Sequence, residues 1–335
     1  MELFVAVIPV RKRRRVFRSA ADLLNGMARP VTWMKMIAFL RKMARRFRPS
    51  STATTASQPW VPGGHFYSPI VDPKDEIVQR TLRGFEGAQL ADGEDLTIDP
   101  LAMLELLQRL GPLCAEIPFR GEKQDHLRYY FANSAFSYCD AAVYFGMLRH
   151  FRPTRVIEIG CGYSSCLLMD TNDRFLNRSI HCTFIDPYPE ALLRLLAEDD
   201  PYRGSVVSER GQNIGISCFK ELGRNDILFI DSSHVSKMGS DVNDYMFRIL
   251  PQLQSGVIVH VHDIPYPFEY QPAWIADENR SWNEAYLLHA FLQYNRDFKI
   301  IFFNHYLMRM HAGSVSKYIP ICLQHGGASI WLQKQ

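Results

Sequence analysis

The chain has 335 residues, 47% of them hydrophobic and 12% aromatic, which excludes a fully disordered chain and suffices for one large α/β domain or two small ones. Its formal net charge of +3 is uneven, because residues 1–50 hold 13 Lys and Arg against two acids, a net of +11, while the remainder has a net of −8. This asymmetry indicates a basic arm on an acidic body. No apolar run reaches the roughly 18 residues of a membrane-spanning helix.

The predicted arm covers residues 1–48. Apolar residues repeat at helical spacing from Trp33 to Phe47, with Lys and Arg largely between them, which is typical of a helix lying on an anionic membrane surface. The alternative is a disordered extension, or upstream sequence read through from an early start codon. The basic run Arg11–Arg15 is followed by no aromatic-rich RNA-binding motif, so nucleic acid is not an expected partner.

Residues 49–64 are rich in Ser, Thr, Pro and Gly and predict a flexible linker. Residues 65–150 are predicted to form a helical lid region, with helices near 74–83, 99–110 and 134–151. Asp99, which precedes a proline, is suited to cap the second of these helices. Asn133 is suited to cap the third.

Seven cysteines show neither a Cys-x-x-Cys pair nor regular spacing. An odd count without a signal peptide predicts reduced thiols in a cytoplasmic protein. If the basic arm binds lipid, the protein is expected at the inner face of the membrane. Cys161 lies within a glycine turn and is expected to be a packing residue instead of a catalytic thiol.

From residue 155 onward, apolar runs alternate with amphipathic segments. Strands are predicted near 155–159, 181–185, 204–208, 226–231, 256–262, 298–303 and 328–332. Helices are predicted near 165–176, 188–198, 215–222, 238–251 and 281–294. Such alternation is typical of an α/β domain, here 151–335, whose mostly parallel sheet is covered by helices on both faces.

The segment Arg155–Ser165 is the most informative part of the chain. A short buried strand leads into Gly160 and Gly162, which allow a tight turn and a close backbone approach to a ligand. Ser164 and Ser165 are suited to cap the helix that follows. A second strand ends at Asp186, at the distance where a nucleotide ribose is usually bound.

Four further polar residues follow the fourth and fifth strands: Asp231, His234, His262 and Asp263. The carboxyl ends of parallel strands meet at one edge of a sheet, so these side chains are expected to lie together. The alternative is structural, because acids at strand ends often cap helices and a single histidine is often only hydrogen-bonded.

The run Glu158-Ile-Gly-Cys-Gly-Tyr-Ser164, with Asp186, resembles the first motifs of class I S-adenosylmethionine (SAM) methyltransferases. Asp231-Ser-Ser-His234 and His262-Asp263 resemble one subgroup, the bacterial small-molecule and sugar O-methyltransferases similar to methyltransferase family 24. The resemblance covers residues 65–332 and implies a Rossmann-like sheet of seven strands with the last antiparallel. The third glycine of a dinucleotide fingerprint is absent, which favours SAM over NAD because SAM has no pyrophosphate.

The resemblance also implies roles for single residues. Those expected to bind SAM are Glu158, Gly160, Cys161, Gly162, Tyr163, Ser164, Asp186, Asp231 and Asn133. A hydroxyl acceptor needs either a base or a divalent ion to become nucleophilic. His262 is the predicted base, with His234 as second choice and Asp263 beside them. In the alternative, Asp231 and Asp263 bind Mg²⁺ or another divalent metal.

The predicted function is SAM-dependent O-methylation of a sugar or natural-product hydroxyl. The aromatic segment 265–274, with Tyr270 and Glu284, is expected to orient the acceptor. His65 and Tyr67 either reach the ligand pocket or pack within their own loop. The alternatives are a non-catalytic SAM- or nucleotide-binding protein and a metal-dependent hydroxylase. The sequence does not determine the oligomeric state.

Overall fold

A seven-stranded sheet forms the centre of the part of the chain that the computed structural model describes, residues 59–87 and 96–335. The predicted basic arm, 1–48, and the linker as far as residue 58 lie outside the described residues. The strands are β1 (Arg155–Ile159), β2 (His181–Ile185), β3 (Val206–Val207), β4 (Ile227–Ile230), β5 (Ile258–Val261), β6 (Phe298–Phe303) and β7 (Ile330–Lys334).

The strand order is β3-β2-β1-β4-β5-β7-β6. The first five strands pair in parallel, whereas β7 runs antiparallel to both β5 and β6. This confirms the predicted Rossmann-like, mostly parallel sheet. The chain builds one side of the sheet from β1 to β3 and then crosses to β4. Such a switch point opens a crevice beyond the carboxyl ends of the strands.

The central strands are apolar because both faces of the sheet are covered. Every residue of β4 and β5 is buried, which explains why these strands show no alternation of apolar and exposed polar residues. Their one polar residue, His260, is buried as well. The third strand is shorter than predicted. Pro201–Ser205 forms a 3₁₀ turn capped by the Asp200 side chain, so only Val206 and Val207 join the sheet.

The helices cover the sheet and the region before it. They are α1 (Glu76–Gly87), α2 (Pro100–Cys114), α3 (Tyr138–Phe151), α4 (Tyr163–Phe175), α5 (Glu190–Leu193), α6 (Ile216–Lys220), α7 (Asp241–Asp244), α8 (Pro272–Ala276), α9 (Glu284–Tyr294), α10 (Asn304–Met310) and α11 (Ala312–Tyr318). Helix α7 continues as a π turn and a 3₁₀ turn to residue 252. Asp99 caps α2 as predicted, accepting a hydrogen bond from the backbone N–H of Ala102 (3.0 Å).

Helix α3 begins at Tyr138, later than predicted, and Asn133 does not cap it. The Asn133 side chain instead closes the preceding loop. Its oxygen accepts from the backbone N–H groups of Ala135 (3.0 Å) and Phe136 (2.7 Å), and its amide donates to the carbonyls of Tyr130 and Phe136. An Asx turn of this kind competes with helix formation, so the loop stays outside the helix.

Arg128 fixes the segment that leads to this loop. Its guanidinium lies 2.8 Å from Asp170, 3.0 Å from Asp173 and 2.7 Å from Asp200. Asp170 also accepts hydrogen bonds from the backbone N–H groups of Arg128 and Tyr129. The guanidinium is only 18% exposed, so these charge-assisted bonds hold residues 128–136 against α4.

None of the helices within residues 59–87 and 96–335 has the length and apolar character that a membrane span requires. The amphipathic helix proposed for the arm lies outside this range.

Candidate functional site

Gly160 shapes the turn between β1 and α4. Its φ is +81°, and a Cβ atom there would lie 1.8 Å from the backbone oxygen of Asp231. No residue other than glycine fits this position. Gly162 is different, because its backbone is extended and a Cβ would meet no atom within 4 Å. The fold therefore requires Gly160, whereas Gly162 leaves open space at the start of α4.

A buried carboxylate supports the turn from behind. The Ser165 hydroxyl donates to Glu158 and accepts from the backbone N–H of Gly162 (3.1 Å), and the Tyr144 hydroxyl donates to Glu158 (3.1 Å). Burial raises the pKa of Glu158 to about 8, although these hydrogen bonds oppose the shift. Gly162 is the N-cap residue of α4, and both serines lie in the first turn. Ser165 takes part in capping through its bond to the Gly162 N–H, as in a capping box.

A cavity of about 420 Å³ opens in front of this turn. Asp186, at the end of β2, accepts hydrogen bonds from the backbone N–H groups of Cys161 (3.2 Å) and Tyr188 (2.7 Å). The structure thus brings together most of the residues predicted to bind SAM. Those that line the cavity are Gly160, Cys161, Gly162, Tyr163, Ser164, Asp186 and Asp231.

Two residues predicted to bind the donor lie elsewhere. Glu158 is fully buried and is not among the residues that line this cavity. Asn133 makes four hydrogen bonds within its own loop and lines the neighbouring cavity. Both residues shape the walls of the site, and direct contact of either with the donor stays a prediction.

The side chains around the turn are uncharged. Burial and the nearby Asp186 raise the pKa of the Cys161 thiol, which disfavours the reactive thiolate. The Tyr163 hydroxyl lies 2.9 Å from that of Tyr130, and burial raises the pKa of Tyr163 to about 12. The cavity therefore takes its negative charge from Asp186 and Asp231.

A second cavity of about 520 Å³ adjoins the first. The two share Ser134, Ala135 and Asp231. The second cavity contains the histidine-acid pair after β5 and several polar and aromatic side chains. Its lining includes Asp140, His262, Asp263, Trp274, Arg280 and His325.

His262 is the buried base candidate of this second cavity. Its Nδ1 lies 3.2 Å from the Ser329 hydroxyl, and its Nε2 lies 3.7 Å from Asp263. Burial lowers the pKa of His262, but the nearby Asp263 and Asp231 carboxylates reverse this effect and raise it above its ordinary value. The pKa of Asp231 shifts in the opposite direction. Burial would raise its pKa, but the neighbouring histidines hold it at about 2.

His234 lies among three carboxylates. Its Nδ1 is 2.7 Å from Glu284, and its Nε2 is 3.4 Å from Asp231 and 3.8 Å from Asp263. Burial would lower the pKa of His234, but Asp231 and Glu284 raise it well above its ordinary value. His234 is not among the residues that line the second cavity, and both of its ring nitrogens face carboxylates. It is therefore less well placed than His262 to take a proton from an acceptor.

Both strand ends have unusual backbone geometry. His234 has a φ of +59° and Asp263 a φ of +55°. Left-handed conformations are uncommon for residues other than glycine, and in folded proteins they concentrate at functional sites. Here they turn the His234 and Asp263 side chains towards the same point, which is shown by the 3.8 Å contact between them.

The two predicted metal ligands, Asp231 and Asp263, both lie beside His234. Across residues 59–87 and 96–335, no group of three or more His, Cys, Asp or Glu side chains is arranged to hold a metal ion. Metal binding by Asp231 and Asp263 stays a prediction.

The aromatic segment after β5 forms one wall of the second cavity. The Arg280 guanidinium lies 4.7 Å from the ring centre of Trp274 and 4.2 Å from that of Trp282, a cation–π arrangement. Tyr270 and Glu284 were expected to orient the acceptor, but neither lines the second cavity. The Tyr270 hydroxyl accepts from the backbone N–H of Ala285 (2.9 Å), and Glu284 is occupied by His234 and Tyr245.

His65 and Tyr67 also stay away from the site. The rings of His65 and Tyr67 pack against each other within their own loop, with ring centres 5.6 Å apart. Neither residue lines either cavity. Two residues at the site were not predicted from the sequence: Arg194, which lines the first cavity, and Ser329, whose hydroxyl lies 3.2 Å from Nδ1 of His262. Both come from segments whose position at the site depends on tertiary structure, so no local pattern marks them.

Comparisons with known proteins support a methyltransferase. Residues 157–264 match a family described as "Methyltransferase domain". An uncharacterized protein of Archaeoglobus fulgidus is 35% identical over 173 residues, which is 50% of this chain and 75% of that protein.

Two solved structures show more distant similarity. The O-methyltransferase TomG from Streptomyces achromogenes, in complex with SAM, is 16% identical, with 71% of this chain and 91% of that one covered and a TM-score of 0.37. The SAH-bound methyltransferase PaMTH1 of Podospora anserina is 11% identical, with 78% and 97% covered and a TM-score of 0.38. Similarity this low does not indicate what the present chain binds.

Proposed function

We propose that this chain, which belongs to the same family as the uncharacterized Archaeoglobus fulgidus protein and matches a methyltransferase domain over residues 157–264, is a class I SAM-dependent methyltransferase. Its proposed reaction is methylation of a hydroxyl oxygen of a small-molecule acceptor. The observation that carries the proposal is the pair of adjoining cavities. One is lined by the glycine turn and Asp186, the other by His262 and Asp263, and Asp231 belongs to both.

The donor would lie in the first cavity. Asp186, at the end of β2, offers carboxylate oxygens for the two ribose hydroxyls, and the open space before Gly162 admits the rest of the molecule. Gly160, Cys161, Tyr163 and Ser164 would form the remaining wall. Bound SAM supplies an electrophilic methyl group on a sulfonium, so the protein has only to orient the acceptor and remove its proton.

Asp186→Ala is expected to weaken the binding of S-adenosylhomocysteine (SAH), the demethylated donor, by about tenfold to a hundredfold. Hydrogen bonds to a charged group contribute about 1.5–3 kcal/mol, and the substitution removes those to the ribose. Isothermal titration of SAH into both proteins measures the difference. The control is Asp125→Ala, an acid that lines neither cavity. Equal affinity in the Asp186 variant would contradict the placement of the donor.

The acceptor would lie in the second cavity with its hydroxyl towards His262. A hydroxyl with a pKa far above 7 is a poor nucleophile, and a positioned base removes its proton as the oxygen attacks. His262 accepts that proton at Nε2, the ring nitrogen that faces Asp263. Trp274 and Arg280 provide an aromatic and cationic wall, which suits a sugar or an aromatic natural product.

Exhaustive EDTA treatment is expected to leave methyl transfer unchanged. The carboxylates that would hold a divalent ion already contact the His234 ring, and the proposed reaction uses a protein base alone. The measurement compares initial rates before treatment, after treatment, and after Mg²⁺ is restored. A loss of rate that Mg²⁺ reverses would contradict the metal-independent mechanism.

Transfer of labelled methyl from SAM to a panel of sugars, glycosides and phenols tests the proposed function. Labelled product with any hydroxyl acceptor supports it. If SAH binds but no hydroxyl on the panel is methylated, a non-catalytic donor-binding protein becomes the better description. If SAH does not bind, the donor cavity is wrongly assigned.

A further inference from the structure

The proposed base, His262, is hydrogen-bonded to a row of two further side chains that the sequence did not indicate. Behind His262, the Ser329 hydroxyl lies 3.2 Å from Nδ1 and donates to the Asp140 carboxylate at 2.5 Å. All three side chains are buried, with Asp140 6%, Ser329 0% and His262 5% exposed. They come from three separate elements: α3, the start of β7, and the end of β5.

Asp140 is firmly held. Its carboxylate accepts from the Asn304 amide (2.8 Å), from the backbone N–H of Ala328 (3.2 Å) and from the Ser329 hydroxyl. A Cβ atom on Gly327 would lie 2.1 Å from Oδ1 of Asp140, so the glycine allows the 327–329 backbone to wrap closely around the carboxylate. Three donors on one buried carboxylate define its position and its acceptor role.

The direction of the hydrogen bonds follows from the number of protons. A carboxylate is acceptor-only, so the single Ser329 hydroxyl proton points at Asp140. The Ser329 oxygen is then available to His262 only as an acceptor, and His262 must donate to it from Nδ1. In the neutral ring the lone pair consequently lies on Nε2, the nitrogen that faces Asp263 and the second cavity.

We propose that Asp140 and Ser329 are positioning residues that fix the tautomer of His262 with Nε2 as the basic atom. This inference rests on the proposed function, because it concerns the base of that reaction. Neither residue needs to touch the acceptor. Their effect is to keep His262 in the one neutral form in which the nitrogen facing the cavity can take a proton, the role that an orienting carboxylate has for a catalytic histidine.

The test is the tautomer of His262, read from long-range ¹H–¹⁵N spectra of the full chain labelled with ¹⁵N-histidine and saturated with SAH. The His262 signal is assigned by its loss in His262→Asn, and spectra are taken at a pH where the ring is neutral. The wild type is expected to show a protonated Nδ1 and an unprotonated Nε2. Ser329→Ala is expected to show a mixture of tautomers, because the acceptor at Nδ1 is gone.

Two further variants separate this effect from general damage. Ser329→Thr keeps the hydroxyl and is expected to keep the wild-type pattern. Thr171→Val removes another buried hydroxyl, which bonds to the Leu167 carbonyl in α4, and is expected to leave His262 unchanged. A proton on Nε2 in the wild type, or an unchanged tautomer in Ser329→Ala, would overturn the proposal.

Once an acceptor has been identified, Ser329→Ala should lower kcat by about tenfold to a hundredfold relative to the wild type, at unchanged KM. The spectra need no acceptor, so they test the tautomer even if no transfer is found. Conversely, transfer that survives His262→Ala would refute the base assignment and leave the spectral result standing.

Discussion

Replacing His262 with alanine is expected to lower kcat for methyl transfer by about a hundredfold to ten-thousandfold, the usual contribution of a general base, while SAH binds as before. The side chain belongs to the second cavity and is absent from the lining of the first. The substitution therefore removes the proton acceptor without touching the proposed donor site. Initial rates with an acceptor from the panel, and calorimetry with SAH, measure the two effects separately.

The matched control is His260→Leu, on the same strand. His260 is fully buried, burial lowers its pKa well below the ordinary value, and within the described part of the chain neither of its ring nitrogens has a hydrogen-bond partner. Exchange for an apolar side chain should leave kcat near that of the wild type and raise the free energy of unfolding by about 1 kcal/mol. If His262→Ala retains full turnover, or if both variants lose it equally, His262 is not the base.

Gly160→Ala is expected to destabilise the protein by more than about 4 kcal/mol or to displace the turn, with loss of SAH binding in either case. The new Cβ would lie 1.8 Å from the Asp231 backbone oxygen, and alanine would also have to adopt a φ of +81°. Neither strain can relax without separating β1 from β4. Chemical denaturation measures the loss of stability, and calorimetry measures the binding.

Gly162→Ala is the matched control, since it adds the same methyl group two residues further on. Its backbone is extended and the protein leaves the space around a Cβ empty, so stability should be within about 0.5 kcal/mol of the wild type. SAH affinity should nevertheless fall, because the methyl group enters the lining of the donor cavity. A stable Gly160→Ala protein that binds SAH normally would contradict this description of the turn.

The sequence predicted the parts of the site that depend on local chemistry. A glycine between an apolar strand and a helix predicted the turn at Gly160, and an acid after the second strand predicted the position of Asp186. The strand-end rule also placed Asp231 and Asp263 within 4 Å of His234. These features follow from the strand order and from the conformational freedom of glycine. Both can be predicted from the order of residue types along the sequence.

Other parts of the site depend on which distant segments meet, or on a choice between two local hydrogen-bonding patterns. Glu284 was expected to orient an acceptor, but α9 brings it against His234 and Tyr245, where it is buried. Ser329 reaches His262 only because β7 pairs antiparallel with β5. Asn133 was expected to cap α3, but its hydrogen bonds to the backbone before the helix close a loop instead. No residue spacing in the sequence contains this information.

A crystal structure of the protein with SAH tests the proposed donor site most directly. The ribose hydroxyls are expected at the Asp186 carboxylate and the ligand along the turn from Gly160 to Gly162. The sulfur is expected to point to the edge that the two cavities share at Asp231. Ligand density at another place on the molecule, or side chains filling the space before Gly162 with SAH in excess, would contradict this donor site.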